Sequence, residues 1–375
     1  MNGNAGYLFY KDYYEDADWH KLDNNQSLFE KKSDEIINLG FNKYNFSIEN
    51  TQYFQLATTY PGLVLGTGYH HETGVIGEFK IGFYFDHTSG LPVIPGSSIK
   101  GLLRSAFPNR TSKNLSKDNK DQRDAYIKEI LAKMGIENFE SKEIDKLELE
   151  IFEGIKDESA KKVSEKYLPM YQRDIFHDAF PVTVGNNGLF SDDFITPHKE
   201  NPLKNPDPLK FLKVAPKVSF QFNFDLKNSD GIFSKEKKLE LFLNILLDFG
   251  VGAKTNVGYG QFDDSEETRD KVLRDINNLC SEQKELKALA SMTDSERQEA
   301  EKQKFIKEIN NYQGKPSKLF KNWTDNESLK EDPDVARAFS KIATLKVNNK
   351  WSRQTKHICK ILKINYEQLE QLQSN

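Results

Sequence analysis

The chain has only two cysteines in 375 residues, Cys280 and Cys359, set 79 positions apart in polar surroundings. That excludes a disulfide framework or a zinc ribbon. No stretch approaches the roughly 20 apolar residues that a membrane-crossing helix needs. The opening residues, Met1-Asn2-Gly3-Asn4, carry neither the basic leader nor the apolar core of a secretory signal. A cytoplasmic protein with no membrane partner is therefore expected. An excess of positive charge is also missing: 53 Lys and Arg face 57 Asp and Glu, for a net charge of −4 and a pI near 6.1. A histone-like binder is excluded, although local fields are not. From Asp263 to Asn311 there is no proline or glycine and almost no aromatic residue, only dense mixed charge. That pattern predicts exposed helix.

What is present suits one large or two moderate folded domains, with 37% hydrophobic and 12% aromatic residues. The spacing predicts a helix near Leu28–Leu39, strand-like alternation within Asn45–Tyr60, a glycine-rich connection from Pro61 to Glu72, and alternation again over Gly77–Phe85. Charged residues with helical spacing over 113–168 predict a helical insertion. Strand character returns at Asp174–Val184, a proline-punctuated loop is expected over Pro197–Pro216, and Val218–Leu226 gives the clearest two-residue period, with Phe220, Phe222 and Phe224 on one face. The composition shift sets a boundary near residue 265, with a helical unit beyond it. Two acid-poor stretches are candidate phosphate-facing patches, one carrying Lys100, Arg104, Arg110, Lys113 and Lys117, the other running from Lys199 to Lys217. A solvated face balanced by acids elsewhere is the bland alternative.

Two glycine-bearing segments carry the most chemistry. IPGSSIKGLLRSAF, Ile94–Phe107, reads as strand, turn and helix start. Ser97 and Ser98 could cap amides there, and amides left over would point outward with the positive end of the helix dipole, which suits phosphate. Lys100 and Arg104 follow four apart on one face. LLDFGVGAKTNVGYGQF, Leu246–Phe262, places Gly250, Gly252, Gly258 and Gly260 around Lys254, Thr255 and Asn256. Glycines so spaced permit close approach to a ligand or partner.

In combination these segments resemble the RAMP superfamily of CRISPR-associated proteins. TTYPGLVLGTGYHHETG (Thr58–Gly74), TSGLPVIPGSSIKG, IFHDAFPV (Ile175–Val182) and DFITPHKENPLKNPDPLKFLKV (Asp193–Val214) occur in order and narrow the resemblance to the sixth-subunit family of the Cmr, type III-B, effector complex. The resemblance implies an α+β fold: a ferredoxin-like, RNA-recognition-motif-like RAMP domain over 1–265 with the helical insertion, then a helical extension over 266–375. It implies a non-catalytic structural subunit, with no cofactor or metal, that caps the backbone at the 3′ end of a single-stranded CRISPR RNA in antiviral defence against foreign RNA. The implied partners are the repeated backbone RAMP subunit and the small helical subunit, with target RNA met indirectly. It carries over Gly96, Ser97, Ser98, Lys100 and Arg104 from the first motif, Gly252, Lys254, Gly258 and Gly260 from the second, and His70 and His71 as weaker candidates for RNA contact. The histidine of the proline-rich portion, His198, lacks the aromatic neighbours that often follow it in the family.

The principal rival is a metal-independent RAMP endoribonuclease that processes CRISPR precursor RNA, with Tyr69, His70, His71 and Lys100 moving protons for a 2′-hydroxyl attack. A stand-alone single-strand RNA binder also remains open. Ser97-Ser98-Ile99-Lys100 matches S-x-x-K, but Asn256 stands where the K-T-G element of acyltransferases needs glycine, and no S-D-N partner is found. His177-Asp178 lacks the further ligands of a metal phosphohydrolase, and His70-His71-Glu72 is not H-E-x-x-H. Each of these is better read as structural.

Overall fold

A computed structural model describes residues 3–43, 48, 51–66, 70–110, 112–196, 208–229, 233–291, 293–347 and 350–374. Contacts divide the chain into two compact units, 1–281 and 282–375.

The first unit opens with α1 (Ala5–Tyr10) and α2 (Gln26–Ile37), followed by strand β1 (Gln52–Ala57) and helix α3 (Gly96–Ser105). The insertion contributes α4 (Lys117–Lys133), α5 (Ser141–Glu153) and the single turn α6 (Val163–Lys166). Ser116 caps α4, a reciprocal Glu140/Glu143 box caps α5, and Gly154 in the left-handed region ends it. Then come β2 (Ile175–Phe176), β3 (Phe180–Thr183), β4 (Phe190–Ile195), β5 (Leu209–Val214), β6 (Ser219–Asp225), α7 (Lys235–Phe249) and α8 (Glu266–Ser291).

β6 is the spine of the sheet. β1 pairs along one side in antiparallel register, Gln52 opposite Phe224 through Ala57 opposite Ser219, and β2 and β3 pair in succession along the other. Thr58 bridges to Phe262 on the far side of β1. The period of two puts Phe220, Phe222 and Phe224 on the core face, where Phe222 meets Phe54 at 5.6 Å between ring centroids and Phe224 meets Phe242 of α7 at 5.4 Å. Each fully buried ring contributes roughly 2–3 kcal/mol by removal from water. On the other face Gln221 and Asn223 of β6 are buried while Gln55 of β1 is exposed, and the polar groups are paired: Gln55 Nε2 donates to Gln221 Oε1 (2.9 Å) and Gln221 Nε2 to Asn223 Oδ1 (3.0 Å).

Two expectations are corrected here. Gly77–Phe85 alternates in sequence and buries Phe79, Phe83 and Phe85, but forms no ladder; Gly77 has φ +91° and only Phe85 makes a bridge, to Pro92. The alternation reflects rings buried in an irregular segment against α1 and α2, where Phe9 lies 6.2 Å from Phe79 and 5.5 Å from Phe85. The loop expected over Pro197–Pro216 contains strand β5, which pairs β4 from Leu209 opposite Ile195 to Val214 opposite Phe190. Prolines at 197, 202, 206 and 208 dominated the composition, while the consecutive buried residues Phe211 and Leu212 carry the strand. Residues 197–207, with His198 and Lys199, lie outside the described residues, as does Tyr69.

The composition-based boundary near 265 and the contact-based division at Ser281/Glu282 differ because Val272, Ile276 and Cys280 of α8 pack into the first core. Their spacing of four is helical, and it is sparse enough to be hidden by surrounding charge.

The second unit holds α9 (Asp294–Asn311), α10 (Pro316–Asp325), α11 (Pro333–Ser340), the hairpin β7 (Lys346–Val347) and β8 (Lys350–Trp351), α12 (Arg353–Leu362) and α13 (Tyr366–Ser374). Its own core centres on Trp323, stacked 5.2 Å from Phe339, with Leu319, Val335 and Ile358 around them. Trp323 Nε1 donates to the Leu329 carbonyl at 2.8 Å, so the buried indole has its partner. Among the described residues no helix is long and apolar enough to cross a membrane.

Candidate nucleic-acid interface

The first glycine motif forms the predicted strand-to-helix passage. Ile94 and Ala179 exchange backbone hydrogen bonds (3.0 and 2.9 Å), and α3 starts at Gly96 behind Pro95. The passage is aimed inward. Gly96 N–H donates to Asp178 Oδ1 at 2.7 Å, so a carboxylate of the chain itself sits where phosphate was expected. A Cβ at Gly96 would overlap the Phe176 carbonyl oxygen, which makes this glycine a requirement of helix-to-strand docking. Asp178 can reach because β2 and β3 are interrupted between them, and the interruption is filled by the start of α3. Ser97 and Ser98 are exposed in the first turn and cap nothing; the cap position is Pro95, which has no side-chain acceptor.

Arg104 does not face solvent as a free cation. Its guanidinium is paired with Glu153 and lies 3.7 Å from Glu148, tying α3 to α5. Burial pushes the Glu148 carboxyl above its usual range. Lys100 is half-buried with its Nζ 5.7 Å from the Phe176 ring centroid, and burial, then the nearby Arg104, lowers its pKa. Arg110, from the same acid-poor stretch, is held by Asp124 and Asp145 at 2.9 Å each. In the second basic stretch Lys210 pairs with Asp192 (3.2 Å) and Lys213 with Asp193 (2.6 Å). Arg104 and Arg110 of the first patch and Lys210 and Lys213 of the second are thus neutralised by acids distant in sequence.

His71 belongs to the core. It is 4% exposed, its ring stacks 4.2 Å from both Phe9 and Tyr13, and its Nε2–H donates to the Phe9 carbonyl at 2.8 Å. Its other ring nitrogen, Nδ1, is buried with no hydrogen-bond partner among the described residues. Burial above all lowers the ring's pKa to about 4, so the neutral form is held. His70 is exposed and paired with Glu72.

The second glycine motif also uses its glycines on its own chain. A Cβ at Gly252 would stand 2.5 Å from the Val64 oxygen, and one at Gly260 would overlap the Val251 oxygen. Ala253 N–H donates to Val64 (2.8 Å), Val251 N–H to Gly260 (2.9 Å) and Gly260 N–H to Gly62 (2.8 Å). These bonds lash the loop to the segment after Pro61 and push its middle outward. Lys254, left-handed at φ 61°, leads into a 3-10 turn over Thr255–Val257, and Gly258 closes it at φ 92°.

That outward turn borders an open cleft of about 850 Å³ lined by Tyr60, Pro61, Asp193–Thr196, Lys254, Val257, Gly258 and Tyr259. Tyr60 is 84% exposed and Phe194 55%, unusual for rings without a buried face. The floor is fixed: Tyr259 Oη donates to Asp193 Oδ2 (2.7 Å), which also receives Lys213 Nζ (2.6 Å). Burial raises the Asp193 pKa, but the bonds from Lys213 and Tyr259 outweigh it and leave the carboxyl below its usual range. Lys254 and Gly258 are the sequence-derived candidates this cleft brings together with exposed rings. Tyr60 and Phe194 were missed, although both lie within the quoted runs TTYPG and DFITP; nothing in their spacing marks them as exposed. α3 packs instead on β2, α5 and α7.

Residues 55–263 match the sequence profile of the RAMP superfamily. The chain belongs to that superfamily. The RAMP match starts within β1 and ends just after the glycine loop, so it contains both motifs and the cleft. Over 189 residues this RAMP chain is 31% identical to the CRISPR system CMR subunit Cmr6 of Saccharolobus solfataricus, covering 49% of each; it therefore spans about half the length of that relative. Among solved structures it is similar to a chain of the type III-B Cmr-beta complex bound to cognate target RNA (23% identity, TM-score 0.38, 64% of this chain and 73% of that one). It is also similar to Cmr6 from Pyrococcus furiosus (22% identity, TM-score 0.33, 57% and 98%).

Proposed function

We propose that this RAMP chain is an RNA-binding structural subunit of a type III-B Cmr CRISPR effector complex, without a reaction of its own. In that role it caps the backbone at the 3′ end of the CRISPR RNA, beside the repeated backbone and small helical subunits, and serves defence against foreign RNA. The membership and the Cmr6 relative support the assembly. The order β1, α3, β2–β3, β6, α7 and the terminal bridge at Phe262 supports a ferredoxin-like domain of β-α-β-β-α-β type, with the Phe262 segment, β1, β6 and β2–β3 side by side.

The observation that carries RNA binding is the cleft in which the glycine loop sets Lys254 beside the exposed rings of Tyr60 and Phe194. Exposed rings beside a cation suit a single strand, whose bases stack at about 1–3 kcal/mol each while its phosphates are neutralised. The precursor-processing nuclease is disfavoured by His71, whose ring is sealed in the core and cannot reach a substrate hydroxyl.

A tagged chain isolated from its native cell should emerge in a large ribonucleoprotein carrying RNAs with a shared repeat-derived 5′ tag; a lone protein that cleaves precursor RNA would refute the subunit role. Within that particle or with single-stranded RNA, Tyr60→Ala and Phe194→Ala should each weaken binding by about 1–3 kcal/mol with little change in salt dependence. Lys254→Gln should flatten the slope of log K against log salt by about 0.7. Unchanged affinity in all three variants would remove the cleft as the site.

A further inference from the structure

Between Asp334 and Glu367 there is no acidic residue, while Arg337, Lys341, Lys346, Lys350, Arg353, Lys356, Lys360 and Lys363 all occur. All eight are exposed. Lys346 pairs with Glu370 at 2.6 Å; the other seven have no acidic partner among the described residues. Elsewhere in the same unit Lys302 is matched by Glu299 (2.7 Å) and Asp334 (3.3 Å) and Lys330 by Glu327 (2.5 Å). What sets 335–366 apart is that its eight cations share the stretch with no acid at all. Residues 282–375 hold 18 Lys and Arg against 14 Asp and Glu, although the whole chain is at −4.

Helical spacing sharpens the pattern. Arg353, Lys356, Lys360 and Lys363 recur at steps of three, four and three, which puts them in one stripe along α12 and its C-cap, with successive positions roughly 4.5–6 Å apart along the axis. The opposite face, with Gln354, Thr355, Ile358 and Cys359, is buried, so α12 cannot rotate the stripe away. Ser352 caps the helix and its Oγ is also held by the Thr344 carbonyl, fixing the hairpin to the stripe's start. Beside it Trp351 stacks on Tyr366 at 4.9 Å with Lys346 4.2 Å above the indole. On α12 itself no exposed apolar residue accompanies the stripe, because Ile358 is in the core; this argues against a membrane surface.

We propose that the α12 stripe of the C-terminal unit is a second nucleic-acid site, gripping the phosphodiester backbone of a strand by charge and without base readout. It lies outside the RAMP match and is independent of the cleft on the first unit. The step of the stripe suits successive phosphates, and seven unneutralised cations supply the counterion release that drives such binding.

The test is salt-dependent binding of labelled single-stranded RNA, and of DNA of the same sequence, to the full chain and to Arg353→Gln/Lys356→Gln/Lys360→Gln/Lys363→Gln. These positions are exposed and glutamine is a good helix former. Four lost phosphate contacts should flatten the slope by roughly 3, so between about 50 and 200 mM salt the wild-type chain should lose about fifty-fold more affinity than the variant. Equal effects on RNA and DNA indicate a grip on the backbone alone; an RNA-only effect places a 2′-hydroxyl contact in the same site. The variant Lys356→Arg/Lys360→Arg/Lys363→Arg keeps the charge and should keep the slope even if the glutamine variant folds poorly. A folded glutamine variant with the wild-type slope, or an arginine variant that loses it, overturns the proposal.

Discussion

His71 offers a direct way to separate a core histidine from an RNA-contacting one. Its ring lies between Phe9 and Tyr13, gives its one proton to the Phe9 carbonyl and has no partner among the described residues for a second. The charged groups that face it are Glu78, which favours protonation, and Lys80 and His70, which oppose it. Burial outweighs them all and places the pKa at about 4, against 6.5 for an exposed ring. Between those values the unfolded chain holds a proton that the folded chain does not, so stability is complete above pH 6.5 and falls as pH drops through 4. The full effect is about 3 kcal/mol, and about 2 kcal/mol of it should be lost between pH 7 and pH 5. The assay is urea denaturation of the wild-type chain and of His71→Phe at both pH values. Phenylalanine fills the same stack without a titrating group and leaves the Phe9 carbonyl unbonded, so the variant should be weaker by roughly 1 kcal/mol at pH 7 yet lose about 2 kcal/mol less on acidification. Subtracting one chain from the other removes groups common to both, including Glu78, whose lowered pKa acts below this window. RNA affinity at pH 7 should be unchanged. Equal acid sensitivity in both chains, or a loss of RNA affinity without a change in acid sensitivity, would refute the core assignment.

Gly260→Ala should unfold or strongly destabilise the first unit, by at least about 2 kcal/mol in thermal denaturation, because φ is 72° and the new methyl would overlap the Val251 oxygen. Gly258→Ala, at φ 92° with only Pro61 Cδ nearby at 3.6 Å, should cost about 1–2 kcal/mol; equal losses at both sites would show that the loop is not lashed to its own chain. Lys238 and Asp174 form an ion pair at 2.7 Å with side chains 1% and 2% exposed, so Lys238→Met should cost about 3–5 kcal/mol in urea denaturation by leaving a buried carboxylate without its cation, held only by the Lys227 N–H at 2.7 Å. Burial raises the Asp174 pKa, and adding Asp174→Asn should restore much of the loss; a double variant no more stable than the single one would contradict the pairing.

The sheet was legible where local pattern and tertiary role agree. Val218–Leu226 alternates cleanly because β6 is the central strand and must present one apolar face to α7. The same rule misread Gly77–Phe85, since buried rings two apart look alike whether or not their backbone pairs, and it overlooked β5 beneath flanking prolines. In the candidate site, Lys254 and Gly258 were visible because glycine-rich loops stand out in composition. Tyr60 and Phe194 were not, because exposure of a ring depends on what fails to pack against it. The pairing of Arg104 was hidden for a related reason: Glu148 and Glu153, its partners, lie more than 40 positions away across the insertion.

Both glycine motifs illustrate why an anion site cannot be inferred from glycines and cations alone. In the first, the helix N-terminus donates to Asp178, and the nearest arginine is matched by two glutamates. In the second, Gly252 and Gly260 admit carbonyls of Val64 and Val251. The same close approach that would let a phosphate in is consumed by the fold, at both places, in positioning something else. For the second motif that something is the turn at Lys254, which the lashing thrusts beside Tyr60 and Phe194. The first motif presents no comparable outward turn; its cost and its benefit are both in docking α3 to the gap between β2 and β3. A shared glycine signature thus serves two physical ends. Substitutions in the two motifs should accordingly part company, with Gly96→Ala reporting on stability through the sheet and Lys254→Gln reporting on RNA through the cleft.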